Sequence, residues 1–548
     1  MKRHKLLLTA ALAIVMSASA FTGCVKKNPA VSADTLQIAV VARGYGSEFA
    51  KELARAYTRK TKTDAQVVKE STDFSIVENS LILGPRSNKI DLYFALENNV
   101  FNVLAQGDNV VDNYDKAWAD LSEVYESPAA GYKESEAEPG LKVKDIFDSF
   151  AMDSATYNDG KQYSVPWSIA VEGMLYNKTL WDKVSAKPGV NISLPKTTTE
   201  MFKLFDDIKA MPSATRNGAY AFAYSGTMPY LDMLFYTWWP QYAGKTEAYS
   251  FYEGKLNPAG EYTYEIFNTP ARLKAFETVG KLVTKSNGYT DPDDDTKDFT
   301  QSQLDFLSGN AFFSVNGDWL EQEASSKFMP GEADIAFMKI PVVSSIIGRP
   351  EISPYISNDA QLRQALDYID GDTGVRPSFL TDDEGGNKAL QFLRDARAFN
   401  TSACTEFPIL VPAYAAHKKE AIDFIKFVLS KEGQEIMMET AYGTMSPIRV
   451  DVKQFDYYNP DPIGEKDRYR STYMCNSKWE IWQNSTLPMT KSYNKYPIQY
   501  LGGMTTLINT SLASLGGDSP TTPAKFMSNE YDSYKLKWNE IKALAGLN

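Results

Sequence analysis

Apolar residues near the start of the main body of the chain come in short runs separated by amphipathic stretches. Leu36–Val41 is apolar at nearly every position and has the length of a strand. The stretch 48–61 carries an apolar stripe at helical spacing, and Ser47 before it is a residue type that caps helices. Two further strand-like runs follow at 65–68 and 90–95. Because buried-looking strands alternate with amphipathic helices, we predict an α/β fold with a mostly parallel sheet.

The residues that directly follow these strands are expected to lie near any bound ligand. In sheets of this kind, ligands bind beyond the carboxyl ends of the strands. Tyr45 follows the first strand, and Glu97 and Asn98 follow the third. We therefore expect these three side chains at the edge of a site.

The middle of the chain has a different pattern, with helices and a dense group of aromatic residues. The spacing predicts helices over 201–210, 270–285 and 418–441. Between the first two lies the aromatic stretch 220–264, whose richest part contains the adjacent Trp238 and Trp239. On a helix, adjacent side chains point about 100° apart. At most one of the two tryptophans can therefore face a ligand, and we favour Trp238.

The first residues have the form of a secretory signal. A short basic head precedes an apolar run at 6–16 that is too brief to span a bilayer, and small residues lead to Cys24. The sequence Phe-Thr-Gly-Cys at 21–24 resembles the lipobox of bacterial lipoproteins, in which the cysteine is acylated and becomes the new N-terminus. The resemblance implies a signal peptide at 1–23, a lipidated tether at 24–33 and a body held at the outer face of the cell membrane.

Charge and residue counts exclude several classes of function. The chain is formally −12, and −15 without its signal, so we expect it to bind neither nucleic acid nor an anionic membrane surface. No later stretch reaches the ~18–20 apolar residues of a membrane span. The chain has two histidines, and beyond Cys24 only Cys404 and Cys475 remain. We therefore expect no metal, no cofactor and no catalytic residues, while the pairing of the two cysteines stays open.

Four segments carry motifs that stand in one order along the chain. They are Tyr157–Trp167 followed by Leu175–Leu180, Leu194–Glu200, Phe306–Trp319, and Ile409–Tyr414 followed by Lys418–Pro447. Together they resemble the extracellular solute-binding proteins of ABC importers, in the sugar-binding branch that includes maltose-binding protein. The segment 343–405 and roughly the last hundred residues match no motif.

The resemblance implies a two-lobed, periplasmic-binding-protein-like α/β fold of type II. Two lobes are joined by crossover strands near 171–176 and 409–414, and the ligand lies in the cleft between the lobes. The expected boundaries are 34–172 plus 408–455 for lobe one and 173–407 plus 456–548 for lobe two. The resemblance further implies a monomer of a Gram-positive-like bacterium that closes on its ligand like a hinge and delivers it to a membrane permease.

The candidate ligand-binding residues follow from the chemistry of sugars. A sugar presents apolar C–H faces and a ring of hydroxyl groups, so its site needs aromatic platforms and polar side chains in the plane of the ring. The resemblance suggests platforms at Trp319, at the end of its motif, and at Trp167, at a strand end near the hinge. Trp238 is a third candidate platform. The candidate polar contacts are Tyr45, Asn98, Glu97 and Asp318.

Other interpretations stay open. A peptide or a polyamine is an alternative ligand for the same fold, and the acidic balance of the chain suits a polyamine. A secreted glycoside hydrolase needs two carboxylates ~5–9.5 Å apart around the scissile bond, which sequence spacing does not exclude. The acidic run Asp291–Asp295 has the oxygen spacing of a calcium loop, but Thr296 stands where the loop needs glycine, so we expect a solvated turn.

Overall fold

The computed structural model describes most of the body of the chain. The described residues are 32–42, 44–72, 83–95, 118–133, 140–156, 159–227, 230–252, 254–329, 332–402, 407–441, 444, 446–450, 480–482, 512–517 and 519–544. The predicted signal peptide and five of the residues named above lie outside these ranges, namely Cys24, Glu97, Asn98, Cys404 and Cys475.

Strands and helices alternate along the described ranges. The strands are β1 (Leu36–Val41), β2 (Ala65–Ser71), β3 (Leu92–Phe94), β4 (Val165–Pro166), β5 (Val171–Asn177), β6 (Tyr220–Ala223), β7 (Ala311–Gly317), β8 (Ile335–Met338), β9 (Phe399–Ser402), β10 (Pro408–Leu410) and β11 (Glu480–Trp482). The helices are α1 (Glu48–Thr61), α2 (Gly84–Ser87), α3 (Ser122–Tyr125), α4 (Val143–Ile146), α5 (Ser149–Ala155), α6 (Lys178–Ser185), α7 (Thr198–Ala210), α8 (Leu231–Ala243), α9 (Lys245–Tyr252), α10 (Pro270–Val283), α11 (Phe299–Leu307), α12 (Leu320–Ala324), α13 (Asp359–Asp370), α14 (Glu384–Ala398), α15 (Lys418–Val428), α16 (Lys431–Thr440) and α17 (Pro523–Leu544).

The first sheet has the strand order β2-β1-β3-β10-β4. β1 pairs in parallel with both β2 and β3, as the alternation of strands and helices predicts. β10 comes from the far part of the chain and pairs antiparallel with β3 and β4, with Ile409 opposite both Phe94 and Val165. The buried side of α1, which includes Phe49 and Leu53, packs in the same core as β1.

The second sheet has the order β11-β9-β5-β7-β6, and β8 also pairs with β5. β5 is antiparallel to β7, β8 and β9, whereas β6 and β7 are parallel. The prediction of a mostly parallel sheet was therefore wrong here. The partners of β5 in this sheet all come later in the chain, so its direction relative to them depends on the route by which the chain returns to the sheet.

The predicted helices at 201–210 and 270–285 are confirmed as α7 and α10. The prediction of one helix over 418–441 was wrong, because the segment forms two helices, α15 and α16. Ser430 separates them: its side-chain oxygen accepts the backbone N–H of Gly433 and caps α16. The apolar stripe continues across this break, which is why the sequence reads as one helix.

The segment 343–405 is anchored to the second sheet by a network of charges around Asp370. This carboxylate, at the end of α13, accepts from Arg397 of α14 at 2.8 Å, from Lys339 after β8 at 2.8 Å and from Lys196 before α7 at 3.0 Å. Burial alone raises the pKa of Asp370, but the hydrogen bonds from Arg397 and Lys339 outweigh it and hold that pKa well below its usual range. The network therefore joins four separate stretches of chain.

Replacement of Asp370 by alanine is expected to destabilise this region by about 2–3 kcal/mol. The change leaves the nearly buried Arg397 without its bidentate partner, while Lys196 keeps Asp367 and Asp372 and the more exposed Lys339 regains water. Chemical denaturation of the full chain measures the loss. Asp382→Ala is the matched control, because Asp382 is 87% exposed and pairs only loosely with Arg376. Equal effects of the two substitutions contradict this account.

The described residues contain neither a membrane-spanning helix nor a metal-binding cluster. Among the helices of the described ranges, none combines the length and apolar character needed to cross a membrane. The same ranges contain no group of three or more His, Cys, Asp or Glu side chains arranged to hold a metal ion. At the acidic run 291–295, Lys297 supplies the positive charge, with its Nζ 2.9 Å from Asp294 and 2.7 Å from Asp305.

Candidate functional site

Four aromatic side chains meet where the ends of the two sheets approach each other. Tyr45 lies in the loop after β1, Trp167 directly after β4, Trp319 shortly after β7, and Phe407 directly before β10. Ring centroids are 5.3 Å apart for Tyr45 and Phe407, 5.5 Å for Tyr45 and Trp167, and 6.3 Å for Tyr45 and Trp319. These four residues, here named the aromatic cluster, therefore join strand ends of both sheets.

A buried carboxyl group lies beside the aromatic cluster. One oxygen of Asp318 accepts a hydrogen bond from the Tyr45 hydroxyl, and the other accepts the backbone N–H of Val171 at 3.0 Å. Burial raises the pKa of Asp318 to about 8, although the hydrogen bonds from Tyr45 and Val171 act in the opposite direction. Burial, and then the charge of Asp318, also raise the pKa of the Tyr45 hydroxyl. Burial therefore favours the protonated form of both groups.

Two hydroxyl side chains extend this polar centre. Thr444 donates to the Ser168 oxygen at 2.8 Å, and the Ser168 hydroxyl points to the Tyr45 oxygen at 3.5 Å. Ser168 belongs to the connection between β4 and β5, and Thr444 follows α16. The polar centre is thus assembled from segments far apart in the chain.

The connection between the sheets contains an unusual backbone conformation. Ala170, just before β5, has φ of +49°, in the left-handed region that residues other than glycine rarely adopt. The Ser168 oxygen accepts the Ala170 N–H at 3.1 Å and supports this turn. Residue 170 is fully buried, so the strained turn lies inside the protein at the passage from one sheet to the other.

Trp319 is held in place by its neighbours on the second sheet. A side chain at Gly317 would come within 2.4 Å of the Trp319 indole ring, so only glycine allows the ring to lie over the end of β7. The Trp319 side chain hydrogen-bonds to Tyr230, whose hydroxyl also donates to Glu323 at 3.3 Å. Burial raises the pKa of this tyrosine. Gly317 and Tyr230 therefore help to fix the orientation of the ring from the side of the second sheet.

The structure brings together four of the residues proposed from the sequence: Tyr45, Trp167, Asp318 and Trp319. Trp167 is buried, stacks on Phe49 with ring centroids 4.6 Å apart, and its indole N–H has no hydrogen-bond partner among the described residues. It thus combines an apolar ring with a donor that is not used within the described part of the chain.

The remaining predicted site residues are placed differently. Trp238 is fully buried in α8, and its indole N–H donates to the carbonyl of Pro341 at 3.0 Å, so it serves as a core residue of the helices on the second sheet. Glu97 and Asn98 lie outside the described residues. Phe407, Tyr230 and Ser168 were missed by the sequence analysis, because each is an ordinary residue beside a strand or helix and acquires its place only through contacts distant in sequence.

Comparison with known proteins identifies the family. The model of the family described as bacterial extracellular solute-binding proteins matches residues 43–435. The chain belongs to this family. No curated protein sequence matches the chain.

Several solved structures of solute-binding proteins have a similar fold. The GacH receptor of Streptomyces glaucescens, solved with acarbose, has a TM-score of 0.55 at 14% identity, covering 92% of this chain and 97% of the receptor. The protein RafE, solved with raffinose, has a TM-score of 0.54 at 13% identity, with 93% and 99% covered. A protein studied for xylan utilisation by Caldanaerobius polysaccharolyticus has a TM-score of 0.55 at 14% identity, with 91% and 99% covered. At such low identity the likeness establishes the two-lobed fold alone.

Proposed function

We propose that this solute-binding protein binds a carbohydrate, most suitably an oligosaccharide, in the cleft between its two lobes. Lobe one comprises 34–172 plus 408–455 and contains the first sheet. Lobe two comprises 173–407 plus 456–548 and contains most of the second sheet. In this proposal the protein is a monomer without catalytic activity, anchored by lipid at Cys24 on the outer face of the membrane, and it delivers its ligand to an ABC importer by hinge closure.

The observation that carries the proposal is the aromatic cluster with Asp318 beside it. Aromatic faces pack against the C–H faces of a sugar ring, and carboxyl and indole N–H groups bond its hydroxyls. Trp319 and Trp167 are the proposed platforms, while Asp318 and Tyr45 are the proposed hydrogen-bonding partners. Glu97 and Asn98 remain proposed contacts on the loop that follows β3. A mixed apolar and polar lining of this kind is typical of sites that bind small molecules.

The similar structures support a saccharide as the cargo. GacH was solved with acarbose and RafE with raffinose. The similarity to this chain extends over nearly the whole length of each of these two proteins.

The proposal is tested by melting the full chain in the presence of a panel of mono- and oligosaccharides, peptides and polyamines. We expect a saccharide to raise the melting temperature, since a ligand at a hundredfold excess over its Kd stabilises the folded state by roughly 2.7 kcal/mol. Trp319→Ala is expected to abolish the shift. The control is Trp181→Ala, because Trp181 packs on Tyr176 and Phe313 outside the aromatic cluster.

Other outcomes separate the alternatives. A shift with peptides or polyamines only, lost in Trp319→Ala, retains the cleft and rejects the sugar. A saccharide shift that decays while shorter sugars accumulate identifies a hydrolase. A saccharide shift that survives Trp319→Ala but is lost in Trp181→Ala moves the site away from the aromatic cluster.

A further inference from the structure

A hydrogen bond between two side chains connects the two lobes. Tyr45 follows β1 of the first sheet, and Asp318 follows β7 of the second, 273 positions later in the chain. Both side chains are buried, and the Tyr45 hydroxyl donates to Asp318. Around this bond, the Tyr45 ring meets the Trp319 ring edge-on, and a side chain at Gly44 would touch the β-carbon of Trp319 at 3.4 Å. The lobes are therefore in close contact at this point.

The same carboxyl group also binds the connection between the lobes. Its second oxygen accepts the N–H of Val171, the residue directly after the left-handed Ala170. A left-handed alanine is strained, so it persists only where surrounding contacts hold it. Asp318 on one side and Ser168 on the other supply these contacts. The bond that joins the lobes and the bond that holds the turn thus share one side chain.

We propose that Tyr45 and Asp318 form an interlobe latch that holds the cleft closed without help from a ligand, with Ala170 as the residue at which the backbone bends when the latch opens. The latch rests on the hinge of the proposed function. Closure needs a free-energy difference that favours the closed state over the open state, and a ligand contributes to it only through its own additional contacts in the closed state. A hydrogen bond between the lobes that is present without ligand reduces the free energy that the ligand must contribute.

The geometry favours a latch over a purely local role for Tyr45. A hydroxyl that stabilises only its own loop bonds within that loop or lobe, as Tyr125 does by donating to the Ser164 carbonyl at 3.1 Å. Tyr45 instead bonds the opposite lobe. In this proposal, the Tyr45 hydroxyl and the Asp318 carboxyl group both bond to water when the lobes separate. The hydrogen bond between them therefore stabilises mainly the closed state.

The experiment is hydrogen exchange of the full chain without any saccharide, read at 44–49 and at 317–322. Tyr45→Phe keeps the ring and removes only the hydroxyl. We expect the exchange rate to rise about tenfold in both segments together, because one hydrogen bond fewer must be broken for local opening. Tyr125→Phe, which also removes one buried hydroxyl but bonds within a lobe, is expected to change neither segment.

A second variant separates the two roles of Asp318. Asp318→Ala removes the acceptors of both the Tyr45 hydroxyl and the Val171 N–H, whereas Tyr45→Phe leaves the acceptor of Val171 in place. We therefore expect faster exchange at Val171 in Asp318→Ala and no such change at Val171 in Tyr45→Phe. The latch is rejected if Tyr45→Phe alters only the segment around residue 45, or if Tyr125→Phe gives the same increase at 317–322. Failure of every saccharide to bind leaves this result unaffected, so the two proposals fail separately.

Discussion

Replacement of Glu530 by alanine is expected to detach the C-terminal helix α17 from the rest of the protein. Glu530 receives two hydrogen bonds, of 2.7 and 2.6 Å, from Nη2 of Arg272 on α10. The Arg272 side chain is fully buried, and Glu530 is only 8% exposed. Five aromatic rings surround the guanidinium at 5.0–5.7 Å from their centroids; they belong to Phe235, Trp239, Phe251, Phe267 and Phe276.

The expected loss is large because a buried cation would remain without its anion. Removal of one partner of a buried pair typically costs about 3–5 kcal/mol. The aromatic rings attract the guanidinium but do not replace a carboxylate, and the Nε and Nη1 of Arg272 have no other partner among the described residues. We expect hydrogen exchange across Pro523–Leu544 to increase by a factor on the order of 10²–10³.

A double substitution distinguishes the ion pair from simple packing. Arg272→Met together with Glu530→Leu removes both charges and keeps apolar volume, so it is expected to restore most of the lost stability. Tyr531→Phe is the control on the same helix, since its hydroxyl bonds Glu265 near the surface, and we expect a loss below about 1 kcal/mol. If the double variant is as unstable as Glu530→Ala, the charge of Arg272 is not the cause.

The stability of the protein is expected to fall as the pH rises from about 4 to about 8, through the titration of Asp318. In the unfolded chain this carboxyl group loses its proton near pH 4, whereas burial raises its pKa in the folded protein to about 8. Between these values, the folded protein binds one more proton than the unfolded chain, so each pH unit removes up to about 1.4 kcal/mol of stability. Below pH 4 and above pH 8 the contribution is constant.

Melting temperatures of the wild type and of Asp318→Asn at pH 5 and pH 8 measure this effect. The amide does not titrate, so the variant is expected to lose less stability between the two values, whatever its stability at pH 5. Asp382→Asn, at an exposed position, is expected to follow the wild type. Parallel behaviour of the wild type and Asp318→Asn would show that the carboxyl group of Asp318 ionises at an ordinary pH.

Much of the fold was accessible from local patterns. The apolar runs of β1 and β3 and the striped helix α1 follow from periodicity, since one face of each must be buried. Motif order indicated the family, which the match over 43–435 confirms. Strand direction in the second sheet was not accessible, because it depends on the route of the chain between sheets and not on the residues of the strands.

For the candidate site too, some features could be predicted from the sequence and others only from the tertiary structure. Trp319 and Trp167 were proposed from their motifs, and Asp318 from its place beside Trp319; the structure brings all three together with Tyr45. Trp238 and Trp239 gave an equally strong aromatic signal. Only the packing of α8, with the Trp238 N–H bonded to Pro341, assigns the first of them to the core.

The sequence by itself determined the two-lobed class, the positions of several helices and strands and the residue types that make up the proposed sugar site, because these depend on periodicity and on motifs contiguous in the chain. The tertiary structure alone decided which of these residues meet. The bond between Tyr45 and Asp318, the strained turn at Ala170 and the buried pair of Arg272 with Glu530 join positions far apart in the chain. Burial then sets their energetics, since low exposure to water raises the pKa of Asp318 and makes an unpaired Arg272 costly.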